Sequence, residues 1–439
     1  MSCVTPSRQA AYKALLAVIK DNAFSPLALD SALKASLSPK DRSLVTALVY
    51  GSIEKKILID YNLNLYLNKP ASALKPQVYS SLLLGAYQIL FMNSIPASAA
   101  VNQSVEIIKS ENFAFFASLA NAVLRRVSEN GLKYPADETD EGVAIKYSFP
   151  LWLFKKWEKN YGRDCALALM DSSGKPAPVT IRLNTLRATP ESLKEALRLD
   201  NALAENIDGF ENAFNLKTSG PIEELSAYKQ GLFHVQDLAS AFLAKAVEPR
   251  ENEIIFDLCS SPGGKAFTIA QQMNNKGKIL AFDLYQSRVD LIASGKKRLG
   301  LDIIDPRLGD ATIYNEYFGK ADRVLCDVPC SGLGVIRRKP EIRFKTGDEI
   351  KNLPPLQLKI LETGAKYVKD GGRLIYSTCA LNPSENEKVC DSFLSKNPDF
   401  RKAEFLPGVT GHTNAHDYLT LMPHINNTDG FFIACFEKN

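Results

Sequence analysis

Two cysteines in this sequence sit where a thiol could attack a ligand. Cys330 lies in Asp327-Val328-Pro329-Cys330-Ser331-Gly332, and Cys379 lies in Ser377-Thr378-Cys379-Ala380. Each segment follows a short apolar run, 323–326 and 373–376, that reads as a buried strand. A cysteine on such a loop is a nucleophile when its neighbours favour the thiolate. A third motif, Asp257-Leu258-Cys259-Ser260-Ser261-Pro262-Gly263-Gly264-Lys265, follows the run 254–256 and opens a helical stretch. Its glycines allow a sharp turn and a close approach to a ligand. The spacing is neither the GxxxxGK[ST] of a phosphate loop nor the GxGxxG of a dinucleotide site.

Three more acids, Asp283, Asp310 and Asp327, end the second, third and fourth strands of the same pattern. Asp283 falls roughly 20 residues past the glycines, where a carboxylate accepts ribose hydroxyls. Asp310 is placed to receive an adenine amino group. Ligands of such sheets bind beyond the carboxyl ends of the strands, where all four acids fall. An adenosine without phosphates fits this set best, which points to S-adenosyl-L-methionine. Asp257 or Asp327 would then face its sulfonium.

This cofactor and two thiols suit one reaction. Carbon 5 of cytosine is a poor nucleophile until a thiolate adds at carbon 6. Carbon 5 then takes a methyl group, a base removes its proton, and the thiolate leaves. In the usual methyltransferase strand order the Cys330 and Cys379 loops lie side by side and face the cofactor.

The elements that must position these residues follow from periodicity. From about 236 onward strand and helix patterns alternate, with strands at 254–256, 278–282, 323–326 and 373–376. This predicts a doubly wound, mainly parallel, Rossmann-like α/β sheet. The runs 418–421 and 431–436 flank Asn426-Asn427-Thr428-Asp429-Gly430 and predict an antiparallel hairpin on the sheet edge. Residues 145–235 read as a small α+β module. They hold helices at 150–157 and 190–199 and a strand at 178–184 with one wet face. Residues 1–130 read as all helix, with apolar spacings of three and four through 10–19, 44–53, 78–91 and 113–127. The acidic stretch bounded by Gly131 and Gly142 predicts a linker over 131–144. The methyltransferase domain would occupy 236–439.

The bulk composition of the 439 residues is that of a soluble globular protein, 45% hydrophobic and 23% charged. No apolar run reaches membrane length, and the first residues lack the pattern of a secretory signal, so a cytosolic protein without a membrane partner is expected. Eight cysteines in such a chain stay as thiols. Net charge is only +4, but residues 1–130 hold 13 Lys and Arg against 8 Asp and Glu. The basic excess therefore sits in the helical third. Cys3, Cys165, Cys390 and Cys435 read as inert thiols and Cys326 as core. His234, His412, His416 and His424 form no spaced set, and no second ligand pair supports zinc at Cys326 and Cys330. The run Arg337-Arg338-Lys339, with Arg343 and Lys345, would bind RNA phosphates beside a base-modifying site.

These elements resemble the RNA cytosine-5 methyltransferases of the Sun family. The run Pro329-Cys330-Ser331-Gly332-Leu333-Gly334-Val335-Ile336-Arg337-Arg338-Lys339-Pro340-Glu341 resembles the bacterial branch acting on small-subunit ribosomal RNA, often called RsmB or Fmu. Gly231-Leu232-Phe233-His234-Val235-Gln236-Asp237 and Thr428-Asp429-Gly430-Phe431-Phe432 resemble it as well. The first third resembles a NusB-like RNA-binding domain, and the small module is RRM-like. The resemblance implies that Cys379 is the nucleophile and Cys330 assists product release, with Asp327 and Lys265 completing the catalytic set. It implies that Cys259, Ser260, Ser261, Pro262, Gly263, Gly264, Lys265, Asp283, Asp310 and Asp327 hold the cofactor. It also implies a monomer acting on 16S ribosomal RNA. Ser260-Ser261 stands where alanines are common, and Ala266-Phe267 where polar residues are common. Three rivals remain: an enzyme acting on another RNA such as tRNA, a DNA cytosine-5 methyltransferase using Cys330, and a ribosome assembly factor without catalysis.

Overall fold

The computed structural model describes residues 4–34, 37–136, 139–409, 411–412 and 418–439. Cys3 and His416 lie outside them. The chain divides into two compact units, each assembled from separated segments.

The first unit takes residues 1–175 and then 336–345. Helices Pro6–Asp21, Pro39–Glu54 and Pro76–Phe91 form its centre. Each starts with proline at its first turn, where the missing N–H costs nothing. Their buried faces carry Leu15, Val49, Leu82 and Leu83, which no water reaches. The expected linker 131–144 is helical from Asp140, because Thr139 caps helix Asp140–Tyr147 by accepting from Gly142 N. Helices Leu151–Tyr161 and Arg163–Ser173 follow in the same unit, with Trp157 fully buried.

Residues 336–345, reached from the Cys330 loop, return to this unit. Arg343 anchors them. It is 1% exposed. Its guanidinium donates to the carbonyls of Glu54 (2.7 Å), Ser148 (3.1 Å) and Ser173 (3.1 Å) and lies 4.1 Å from the Phe149 ring centroid. Burial pushes its pKa down to about 10. The phosphate contact expected of Arg343 is therefore corrected: its donors serve carbonyls at the ends of three helices. Arg337 and Arg338 are half-buried and Lys339 is exposed.

The second unit takes 176–335 and 346–439. It opens with a four-stranded antiparallel sheet of order β2-β3-β1-β4, from β1 (Thr180–Leu183), β2 (Leu203–Ile207), β3 (Phe210–Lys217) and β4 (Phe233–Val235). The wet face expected of β1 is corrected, since all four of its residues are buried. Alternation reports one packed face and says nothing about a second layer. Here that layer is the larger domain: His234, paired with Arg182 across the ladder, reaches Thr268 at 3.3 Å.

The larger sheet runs β10-β12-β9-β8-β5-β6-β7, with β11 paired to β12. Its strands are β5 (Ile254–Asp257), β6 (Lys278–Asp283), β7 (Ile304–Leu308), β8 (Ala321–Asp327), β9 (Val368–Thr378), β10 (Phe400–Lys402), β11 (Leu419–Leu421) and β12 (Phe431–Lys438). The strands from β9 through β7 are parallel, as strand–helix alternation requires. Pro306 is tolerated in β7 because that strand is an edge. The closing hairpin forms as β11 and β12, but β12 lies inside the sheet, hydrogen-bonded to β9 as well. The strand order reverses between β5 and β8, and the crevice beyond that point is where such sheets bind ligands.

Candidate active site

The carboxyl ends of five parallel strands, β5 to β9, open onto this crevice. Parallel pairing of β8 with β9 sets Asp327 opposite Ser377. The loops that follow are tied together, with Val328 N donating to Ser377 O (3.1 Å) and Gly334 N to Cys379 O (2.9 Å). The two thiols meet as a result: Cys330 Sγ and Cys379 Sγ are 3.1 Å apart. The hydrogen bond to Cys379, together with burial, pushes the Cys330 thiol well above its ordinary pKa, and the charges of Cys379, Glu385 and Asp327 push the same way. Either thiol can donate in this contact, and burial, the neighbouring thiol and the two acids all favour the neutral form of Cys330.

Asp327 accepts from Ser377 Oγ at 2.8 Å and from Lys265 Nζ at 2.5 Å. Burial acts to lower the Lys265 pKa, but Asp327 outweighs it with help from Asp257 and Cys379, so the ammonium is held above its ordinary value. The structure thus gathers Cys330, Cys379, Asp327 and Lys265 into one site.

The Asp257–Lys265 motif crosses the ends of β5 and β6. Ser260 N donates to Phe282 O, and Gly263 N closes a tight turn on Ser260 O, both at 2.8 Å. Gly263 has φ +104°, open to glycine, and a Cβ there would strike the Phe267 ring at 2.4 Å. Helix Gly264–Gln272 starts immediately after. Asp257 is fully buried, and neither carboxylate oxygen reaches a hydrogen-bond partner. Burial raises its pKa to about 7; Ser260 and Lys265 pull against that shift, and Asp327 adds to it. Leaving such a group unsatisfied is costly, so a cationic or hydrogen-bonding ligand group fits here.

Asp283, 6% exposed, accepts from Tyr285 N at 3.2 Å. Asp310 accepts twice from Thr312, backbone and hydroxyl, at 2.8 Å each. Asp310 also lines a cavity of about 170 Å³ walled by Leu258, Phe282, Leu308, Ile313 and Phe318. An apolar slot with one carboxylate at its rim suits a purine, so the residues present fit S-adenosylmethionine. Burial raises the pKa of Cys259, which packs against the apolar core.

Sequence reasoning missed several residues. Glu385, buried, accepts from Ser331 N (2.8 Å), Gln357 Nε2 (3.1 Å) and Asn382 Nδ2 (2.7 Å). Asn386 bridges Thr378 Oγ1 (2.6 Å) and Ala380 O (2.8 Å). Gln236 donates to Gly264 O at 2.8 Å and accepts from Thr268 at 2.9 Å, which holds helix Gly264–Gln272 to the small sheet. The dense run Asn382-Pro383-Ser384-Glu385-Asn386-Glu387, so soon after Cys379, was the available signal for the first two.

Residues 244–437 match the family described as 16S rRNA methyltransferase RsmB/F. Residues 5–129 match the NusB family, and 149–223 the ferredoxin-like domain of RsmF/B-like methyltransferases. The probable ribosomal RNA small subunit methyltransferase B of Bacillus subtilis (strain 168) is 36% identical, over 99% of each chain. Its namesake from Synechocystis is 34% identical over 98% of this chain and 99% of that one. The crystal structure of PH0851 aligns over 100% of both chains with 28% identity and a TM-score of 0.85. Matches of this extent, carried by all three parts of the fold, place the chain: it belongs to the RsmB/F family of ribosomal RNA small subunit methyltransferases.

Proposed function

We propose that this protein uses S-adenosylmethionine to methylate carbon 5 of a cytosine in 16S ribosomal RNA, through a covalent bond between Cys379 and carbon 6. The 3.1 Å approach of Cys330 to Cys379, beside the Lys265–Asp327 pair, carries this reading. S-adenosylmethionine supplies an electrophilic methyl group. The target base must stand outside any helix for a thiolate to reach it. Cys379 Sγ bonds to carbon 6, and the ammonium of Lys265 favours the thiolate that does so. Carbon 5, now enamine-like, takes the methyl group while still bearing its proton.

Cys330 acts next. The main cause of its raised pKa is the hydrogen bond to Cys379. Once that sulfur is bonded to carbon, this cause is gone. Burial and the charges of Glu385 and Asp327 still act on Cys330, and once its own proton has passed to solvent its thiolate takes the proton from carbon 5. The sulfur–carbon 6 bond breaks, and Cys379 leaves as thiolate.

Cys379→Ala should abolish both methylation and any protein–RNA adduct. Cys330→Ala should transfer the methyl group, stall, and accumulate as a slow band on a denaturing gel. An adduct that builds up in Cys379→Ala and disappears in Cys330→Ala would reverse the roles and overturn the proposal.

A further inference from the structure

Glu385 is buried, yet it joins three segments of the site. It belongs to the stretch after β9 and is buried, with a carboxylate that receives three donors. One donor is the backbone N–H of Ser331, next to Cys330. A second, Gln357, also donates to the Pro329 carbonyl at 3.0 Å, so it grips both sides of Cys330. The third, Asn382, is on the Cys379 side. The Glu385 carbonyl accepts from Tyr376 of β9 at 2.5 Å, and the neighbouring Asn386 holds Thr378 and Ala380 on either side of Cys379. Each thiol is therefore flanked by hydrogen bonds that lead back to residues 382–386.

We propose that Glu385 is a positioning residue: its buried carboxylate sets the distance between the Cys330 and Cys379 loops and, as a fixed negative charge, assigns the thiolate to Cys379 rather than Cys330. The assignment rests on the two-thiol reading above. Charge matters here because a carboxylate in a low-dielectric site disfavours a second anion nearby. The groups facing Cys330 are Cys379 and Tyr376 from β9 and its loop, Asp327 from β8, and Glu385. Lys265, the cation of the site, is paired to Asp327 and acts on Cys379. Within this set Glu385 is an anion aimed at the Cys330 loop without a cation of its own among its three donors. A neutral amide with its oxygen towards Ser331 and Gln357 would keep those two bonds, lose the one from Asn382, and lose the discrimination with the charge.

The test is thiol alkylation on the whole protein, with iodoacetamide and peptide mass analysis across pH 6–10. It requires neither RNA nor methyl transfer, so its failure is distinct from failure of the reaction scheme. In the wild type Cys379 should react at lower pH than Cys330. Glu385→Gln should bring the Cys330 profile down by about one pH unit and leave Cys379 nearly unmoved. Gln357→Met, which loosens the bracket but keeps the charge, should leave the order of the profiles intact. It should slow closure of the Cys330–Cys379 disulfide by diamide about tenfold. Cofactor affinity, measured in parallel, reports whether each variant is folded. Folded Glu385→Gln with an unchanged Cys330 profile overturns the charge assignment. Folded Gln357→Met with wild-type disulfide closure overturns the bracket, and it does so even where Glu385→Gln fails to fold.

Discussion

Asp257 carries the clearest chemical commitment in the site. Its pKa of about 7 lies above the ordinary carboxylate value, so the folded protein favours the protonated acid. That preference contributes stability that is complete below about pH 4 and is lost as pH rises through about 7. A cationic ligand reverses the balance by favouring the carboxylate. Cofactor binding below pH 7 should therefore release a proton, and affinity should climb with pH until about 7. Calorimetry at pH 6 in two buffers of different ionisation heat would read this directly. Identical heats would mean that Asp257 does not face the cofactor's charge, and Asp257→Asn should abolish the difference. Asp283 makes a simpler prediction. If Asp283 accepts two ribose hydroxyls, its removal costs roughly 10- to 150-fold in affinity. Asp283→Ala should lose that much S-adenosylmethionine binding, and unaltered affinity would reject the assignment.

At the scale of elements, the Cys330 and Cys379 loops are welded at one glycine. Gly334 N donates to Cys379 O, while Gly334 O accepts from Gly430 N at 2.8 Å. A Cβ on Gly334 would lie 2.0 Å from Gly430 O and 2.9 Å from Cys379 O. Gly334→Ala must therefore push the loops apart. A displacement of about 1 Å at reacting atoms costs roughly 100-fold in rate, so methyl transfer should fall at least that far with cofactor affinity retained. Wild-type turnover in this variant would show that the loops need no such contact. Much at this scale was legible in the sequence. The parallel strands, the glycine turn and the acids at the strand ends follow from periodicity and from residue types and spacing. Glu385 and Gln357 were not legible, because their importance comes from partners on three separate segments. Arg343 was misread for the same reason. A basic run reads as surface, and no spacing rule reveals that three helix-end carbonyls converge on one guanidinium.

For the whole molecule, the helical unit cannot be removed by one cut. It owns residues 1–175 and also 336–345. A chain starting at 176 would leave Ile336, Pro340, Ile342 and Arg343, all buried in the intact protein, without their cover. That truncation should aggregate on size exclusion, and replacing 336–345 with a short Gly-Ser linker should restore a monodisperse species. A well-behaved truncation with the segment intact would mean that it packs acceptably elsewhere. The same shared segment has a consequence during synthesis. The ribosome makes the first 175 residues, then 160 residues of another unit, and only then the piece that Arg343 pins in place. At about 5–20 residues per second, the nascent helices wait roughly 8–30 seconds for their final part. Through that interval the carbonyls of Glu54, Ser148 and Ser173 lack their guanidinium, and a chaperone that shields a half-finished helical bundle has its window of action there.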